Sequence, residues 1–246
     1  MKECQGAHCR CLGEASKAQS AALASRRRLL GGALAGAVAS VVTGSELTVS
    51  SVASAQTIKS PGEALQTLVD GNRRFVERKL TFYQEDLAVL QQNTAERQEP
   101  FASVLSCADS RVPVELIFDQ SIGHVYVNRI AGNIATTEIM ASIEYGAAVL
   151  GTKVIMVLGH GNCGAVKATI DGKAVPGQIS SLYRYIRPAV NAGGDNLRAT
   201  TEANAKIQAQ LLKESSPVLA GLVKEGKLSV VAAFFDVENG KVTLLS

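Results

Sequence analysis

From Phe101 onward the chain alternates between apolar runs too short for helices and longer stretches with helical periodicity, which restricts it to few architectures. Phe101 to Ser106, Val125 to Asn128, Val154 to Leu158 and Leu228 to Phe235 read as strands. Several are almost continuously apolar, as strands buried on both faces of a parallel sheet are. Between them, Thr136 to Leu150, Ile179 to Val190 and Asn196 to Val223 read as helices, the last broken near Pro217. The turn Asp236 to Gly240 leads into Lys241 to Leu245, expected to return antiparallel. The expected fold is therefore α/β: a mostly parallel sheet of about four strands, with a C-terminal antiparallel strand, flanked by helices. In such sheets sites form beyond the carboxyl ends of the strands, which singles out Ser106 to Pro113 and Gly159 to Gly164.

Upstream, Ser60-Pro61-Gly62-Glu63 carries an N-cap, a proline at the first helical position and a capping-box glutamate. Leu65, Leu68, Val69 and Phe75 follow at helical spacing, and a second amphipathic stretch runs from Glu85 to Arg97, before Pro100. No repeat or linker divides Gln56 to Ser246, so residues 56–246 read as one catalytic-sized domain. Hydrophobic residues make up 46% of the chain, which excludes intrinsic disorder.

Residues 1–55 are a different physical object. The formal charge of +3 resides entirely there, since residues 56–246 hold 19 basic and 19 acidic groups. Arg26-Arg27-Arg28, the apolar run Leu29 to Val42 and Ala53-Ser54-Ala55 have the order of a cleaved signal peptide, and the run is too short to span a bilayer. Ser25 to Leu30 resembles the twin-arginine (Tat) export motif, so the precursor is expected to engage the Tat machinery and the mature chain to be periplasmic or secreted. A neutral mature chain gives no reason to expect nucleic acid or stable membrane insertion. Cys4, His8, Cys9 and Cys11 fall in this leader and receive no function.

Both expected strand ends carry chemistry. Cys107-Ala108-Asp109-Ser110-Arg111 follows the first, and His160-Gly161-Asn162-Cys163-Gly164 the third. Thiolates and imidazole suit zinc, and three protein ligands leave the open position of a catalytic site. The competing reading is a single Cys107–Cys163 disulfide in an oxidising compartment. Asp109 and Arg111 are spaced to pair, with Arg111 keeping Asp109 ionised as an acceptor for a metal-bound water; a freed Asp109 would instead be a fourth ligand.

Cys107, Asp109 and Arg111, then His160 and Cys163 some fifty residues later, resemble the signature of the β-class carbonic anhydrases. Gly123 to Asn133, Ser142 to Gly146 and Gly71 to Phe75 also look like segments of that family. The resemblance implies one Zn2+ per chain on Cys107, His160 and Cys163, with zinc-bound hydroxide hydrating carbon dioxide reversibly to bicarbonate and a proton. Asp109 and Arg111 would be catalytic, and Gln98, Tyr126, Ala131, Tyr145 and Gly164 would line the substrate pocket. Val104 and the absence of tryptophan point to the subtype with an open water site, in which Asp109 is not a ligand. External buffer is expected to take the proton, with His124 surface-exposed. A homodimer, or a tetramer of dimers, is implied. Alternatives on the same residues are a carbon disulfide or carbonyl sulfide hydrolase and a non-catalytic zinc- or disulfide-stabilised binding protein.

Overall fold

A computed structural model describes residues 59–81 and 98–246. The expectations for residues 1–55 and for a helix from Glu85 to Arg97 lie outside the described residues. All of the described residues belong to one structural unit. None of their helices is long and apolar enough to cross a membrane.

Helix α1 (Pro61–Val76) starts as expected: the Ser60 hydroxyl takes the Glu63 amide at 3.3 Å, and the Glu63 carboxylate takes the Ser60 amide at 2.7 Å. Its packed face is Ala64, Leu68, Gly71 and Asn72, with Leu65 and Phe75 half-buried against the core and Val69 exposed, contrary to expectation. Gly71 explains the shift. A Cβ there would lie 1.7 Å from the Phe118 carbonyl oxygen, so α1 is drawn in along the Ala64, Leu68 and Gly71 line, which turns Val69 outward. Asn72 then donates to the carbonyls of Ile117 and Gly240 and accepts from the Val242 amide.

Five strands make the sheet: β1 (Ala102–Ser106), β2 (Val125–Arg129), β3 (Val154–His160), β4 (Ser229–Phe235) and β5 (Val242–Leu245). They lie in the order β2-β1-β3-β4-β5, all parallel except β5, which pairs antiparallel with β4. β1 and β3 are buried throughout because both have neighbours on each side and helices above and below.

Side chains alternate between two layers. On one face Val104, Val154, Met156 and Leu158 pack with α1 and the short α2 (Val114–Ile117). On the other, Leu105, Ile155 and Val157 pack under α3 (Thr137–Glu144), α6 (Leu197–Ser215) and α7 (Pro217–Lys224). Helices α4 (Gly164–Asp171) and α5 (Tyr183–Gly193) complete the chain.

Two expected helices differ in detail. The stretch read as Thr136 to Leu150 leaves α-geometry at Tyr145 and closes as a π-turn through Val149, with Gly146 so close to β1 and β2 that a Cβ would meet the Ser103 hydroxyl at 2.7 Å. The stretch beginning at Ile179 opens with a 3-10 turn, and α5 runs on to Gly193 through Pro188.

The chain leaves β1 toward β2 on one side and leaves β3 toward β4 on the other. A crevice therefore opens between the carboxyl ends of β1 and β3, where the two motif-bearing segments begin.

Candidate metal centre

β1 delivers Cys107 one residue beyond its end, and β3 delivers His160 as its last residue. Asn162 turns with φ of 55°, which brings Cys163 back into the N-cap position of α4. The Cys107 and Cys163 sulfurs and a ring nitrogen of His160 all lie within 4.8 Å of one another, and all three residues are buried. Both thiols are free.

His160 is completely buried. Its Nδ1 lies 3.0 Å from the Gly161 carbonyl, which can only accept, so Nδ1 carries the proton and Nε2 keeps its lone pair. Nε2 has no hydrogen-bond partner among the described residues. A buried, unpaired acceptor is costly, and a cation between it and the two sulfurs removes that cost.

The sulfurs make the same point electrostatically. The Cys107 thiol is pushed down, chiefly by the proton it shares with the Cys163 thiol and further by the Gly132 amide, with burial opposing. Cys163 is pushed up by that same shared proton, and further by burial. One negative charge forms readily here, and the second needs a nearby cation. Two sulfurs and one imidazole nitrogen are the soft, tetrahedral-seeking donor set that suits zinc, and the residues fit it.

Asp109 sits beside this cluster, its Oδ2 3.9 Å from His160 Nε2. Arg111 holds it through three contacts: its amide and Nε to Oδ1 at 2.9 and 3.0 Å, and Nη2 to Oδ2 at 2.8 Å. The guanidinium hydrogen bonds, opposed in part by burial, keep the carboxyl far below its ordinary value, so Asp109 is ionised at any working pH. Arg111 Nη2 also donates to the Asn162 carbonyl at 3.2 Å and so ties the β1 loop to the β3 loop.

The model of the carbonic anhydrase family matches residues 102–242. The carbonic anhydrase of Mycolicibacterium smegmatis is 33% identical over 196 residues, 76% of this chain and 94% of that protein. The chain belongs to the carbonic anhydrase family. Carbonic anhydrase 2 of Mycobacterium tuberculosis is 31% identical over 193 residues, covering 75% of this chain and 93% of its own. Among solved structures, the β-carbonic anhydrase of Coccomyxa in complex with acetazolamide has a TM-score of 0.58 at 26% identity, over 74% of this chain and 86% of that one. The class is thus the β-class. A tetrameric β-carbonic anhydrase of Sordaria macrospora shares the fold, with a TM-score of 0.60 at 22% identity over 74% of this chain and 96% of that one.

The other sequence-derived residues of this carbonic anhydrase are placed unevenly. Tyr126 lies on β2, its hydroxyl 3.1 Å from that of Ser142 and its ring 6.3 Å from the ring of Tyr145, which is largely exposed. Ala131 belongs to the turn after β2, and Gly164 opens α4 with nothing within 4 Å of where a Cβ would stand. Gln98 is exposed and precedes β1, whereas Cys107 follows it, so the length of the strand separates them within one chain. His124 is half-buried rather than exposed, its ring 6.3 Å from that of Phe101. It precedes β2, at the end of the sheet remote from the cluster.

Two contributors had no role assigned from sequence. Arg129, the last residue of β2, donates through Nε to the Cys107 carbonyl at 3.1 Å and through Nη2 to the Asp109 carbonyl at 2.7 Å. The Gly132 amide donates to the Cys107 sulfur at 3.3 Å. Arginine at a strand end beside the site was the readable signal for the first; the Ala131-Gly132-Asn133 turn was the signal for the second.

Proposed function

We propose that this chain catalyses the reversible hydration of carbon dioxide to bicarbonate and a proton, with one zinc ion held by Cys107, His160 and Cys163. The observation that carries the reading is the convergence of two free thiols and an unpaired imidazole nitrogen beside a carboxylate fixed by arginine. Zinc, when bound, supplies a Lewis acid that brings the pKa of water near 7.

The chain's own residues do the rest. Ionised Asp109 can only accept, so its Oδ2 takes a hydrogen of the reacting water and turns that water's lone pair toward the carbon of carbon dioxide. Arg111 keeps Asp109 ionised and oriented. Ala131 and Gly164, on the turns that carry Gly132 and Cys163, bound the space offered to substrate, whereas Tyr126, paired with Ser103 near the start of β1, and Tyr145 beside it stand apart from the cluster within one chain, as Gln98 does. With His124 at the far end of β2, external buffer takes the released proton, and the rate should rise with buffer concentration.

Assembly into dimers, and tetramers of dimers, would place Gln98 near a site from which it stands apart within one chain. Support for export is confined to the sequence of residues 1–55, where the twin-arginine pattern precedes Ala53-Ser54-Ala55; sequencing the N-terminus of the exported protein tests it.

The deciding experiment measures zinc per chain and the carbon dioxide hydration rate for wild type and Asp109→Ala. One zinc per chain, with activity that falls sharply in the variant, is expected. A metal-free, inactive protein with a Cys107–Cys163 disulfide, or a zinc protein that hydrolyses carbonyl sulfide and leaves carbon dioxide untouched, would overturn the proposal.

A further inference from the structure

The Gly132 amide can aim at the Cys107 sulfur only if the turn that carries it is held still. Asn133 donates its amide to the Ile130 carbonyl at 2.9 Å, closing a four-residue turn with Gly132 third and at φ of 78°, as a type II turn requires. The turn is not braced by its own side chains. Asn133 is completely buried, yet neither polar atom of its amide has a partner among the described residues.

The brace comes from α6, about seventy residues on. Asn204, completely buried, donates Nδ2 to the Gly132 carbonyl at 2.8 Å. Gln208, one helical turn further, accepts the Ala135 amide at 2.9 Å and donates to the Tyr185 carbonyl at 3.0 Å and to Asn204 Oδ1 at 3.3 Å. Gln208 thus uses one acceptor and both donors, and its last bond fixes the amide orientation of Asn204. The helix bearing them is itself seated on β3: a Cβ at Gly159, the residue before His160, would lie 3.2 Å from Thr201. One helix therefore reaches two of the three metal donors, His160 by packing and Cys107 by a relay of hydrogen bonds.

We propose that Asn204 and Gln208 are positioning residues for the metal centre, holding the Gly132 N–H on the Cys107 sulfur so that this sulfur donates less charge to the metal than it otherwise would. An N–H bond to a thiolate withdraws electron density from sulfur and fixes its direction, which is how groups outside the ligand set tune a metal. The inference rests on the metal reading above.

The test uses the full chain with its zinc exchanged for cobalt(II), which reports sulfur donation through the thiolate-to-cobalt charge-transfer band. Wild type should show that band; its absence would remove the metal reading, and this inference with it. In Asn204→Leu the band should move to lower energy, and metal affinity, measured by competition with a chelator, should fall by about 10-fold. Gln208→Leu should move the band the same way by less, because Asn204 remains. Leu68→Ala, in the core on the opposite face of the sheet, should lower the melting temperature and leave the band in place. Should Asn204→Leu fail to fold, Asn204→Ser, too short to reach the Gly132 carbonyl, decides in its stead. A wild-type band in the Asn204 and Gln208 variants, or an equal shift in Leu68→Ala, would overturn the proposal.

Discussion

The two segments that build the centre are held in opposite ways. The β1 segment, Cys107 to Arg111, is clamped by guanidinium groups at the protein surface: Arg111 on the Asp109 carboxylate, and Arg129 on the Cys107 and Asp109 carbonyls. The β3 segment, His160 to Cys163, is held chiefly by packing, with a single guanidinium contact from Arg111 to the Asn162 carbonyl. Gly159 lies under Thr201 of α6, Gly161 lies against Val237, and Cys163 caps α4. Charged clamps facing water hold the carboxylate that must meet substrate, and a dry, close-packed wall holds two of the donors that must not move. The difference separates orienting the reactants from retaining the metal, and each job can be attacked alone.

The largest effect should come from the packed side. His160→Ala is expected to leave well under one zinc per chain and to reduce hydration by more than the ~10–100-fold that groups outside the ligand set are worth, read by metal analysis and stopped-flow hydration. On the clamped side, Asp109→Asn should cost on the order of 10²-fold in rate while zinc content stays at wild-type level. Loss of zinc in that variant would erase the division of labour. Gly159→Val should push α6 off β3 and destabilise the fold by about 1–3 kcal/mol in urea melts, as overpacking does.

The smallest effect is one of pH. Arg111 depresses the Asp109 carboxyl, so the stability their pairing contributes is fully present above the ordinary aspartate value of about 3.9 and is lost as pH falls below it. Wild type and Asp109→Asn should therefore differ in melting temperature at pH 7 and converge in strong acid. Convergence at neutral pH instead would mean that the clamp orients without stabilising.

What could be read from sequence follows the range of the interactions involved. β1 and β3 were legible because burial on both faces leaves an unbroken apolar run, and the cysteines, histidine and Asp109–Arg111 pair because their spacing is local. The π-turn at Tyr145 was not, since it answers to a close approach of Gly146 over Ser103 and Tyr126, residues on other strands. Val69 misled for a related reason: α1 packs through Ala64, Leu68, Gly71 and Asn72, and the close approach of Gly71 to a carbonyl turns Val69 away from the core. Around the metal, the bonds of Asn204 to the Gly132 turn and of Gln208 to Ala135 just beyond it span 72 and 73 residues, and neither amide stands out in a helix that reads as an ordinary amphipathic one.

Asn72 has a temporal consequence. Its bonds to the Gly240 carbonyl and the Val242 amide reach 168 and 170 residues along the chain, and Phe75 lies against Gly240 as well. Closing a loop of that length costs about 4–5 kcal/mol in chain entropy, and β5 is synthesised 170 residues after Asn72. At 5–20 residues per second, roughly 10–30 s separate the synthesis of α1 from that of the strand that completes the bonds of its buried amide. Helix α1 is thus fully secured only once β5 has been made, and a polypeptide truncated before β5 would carry an unlatched α1 however well its metal ligands had formed.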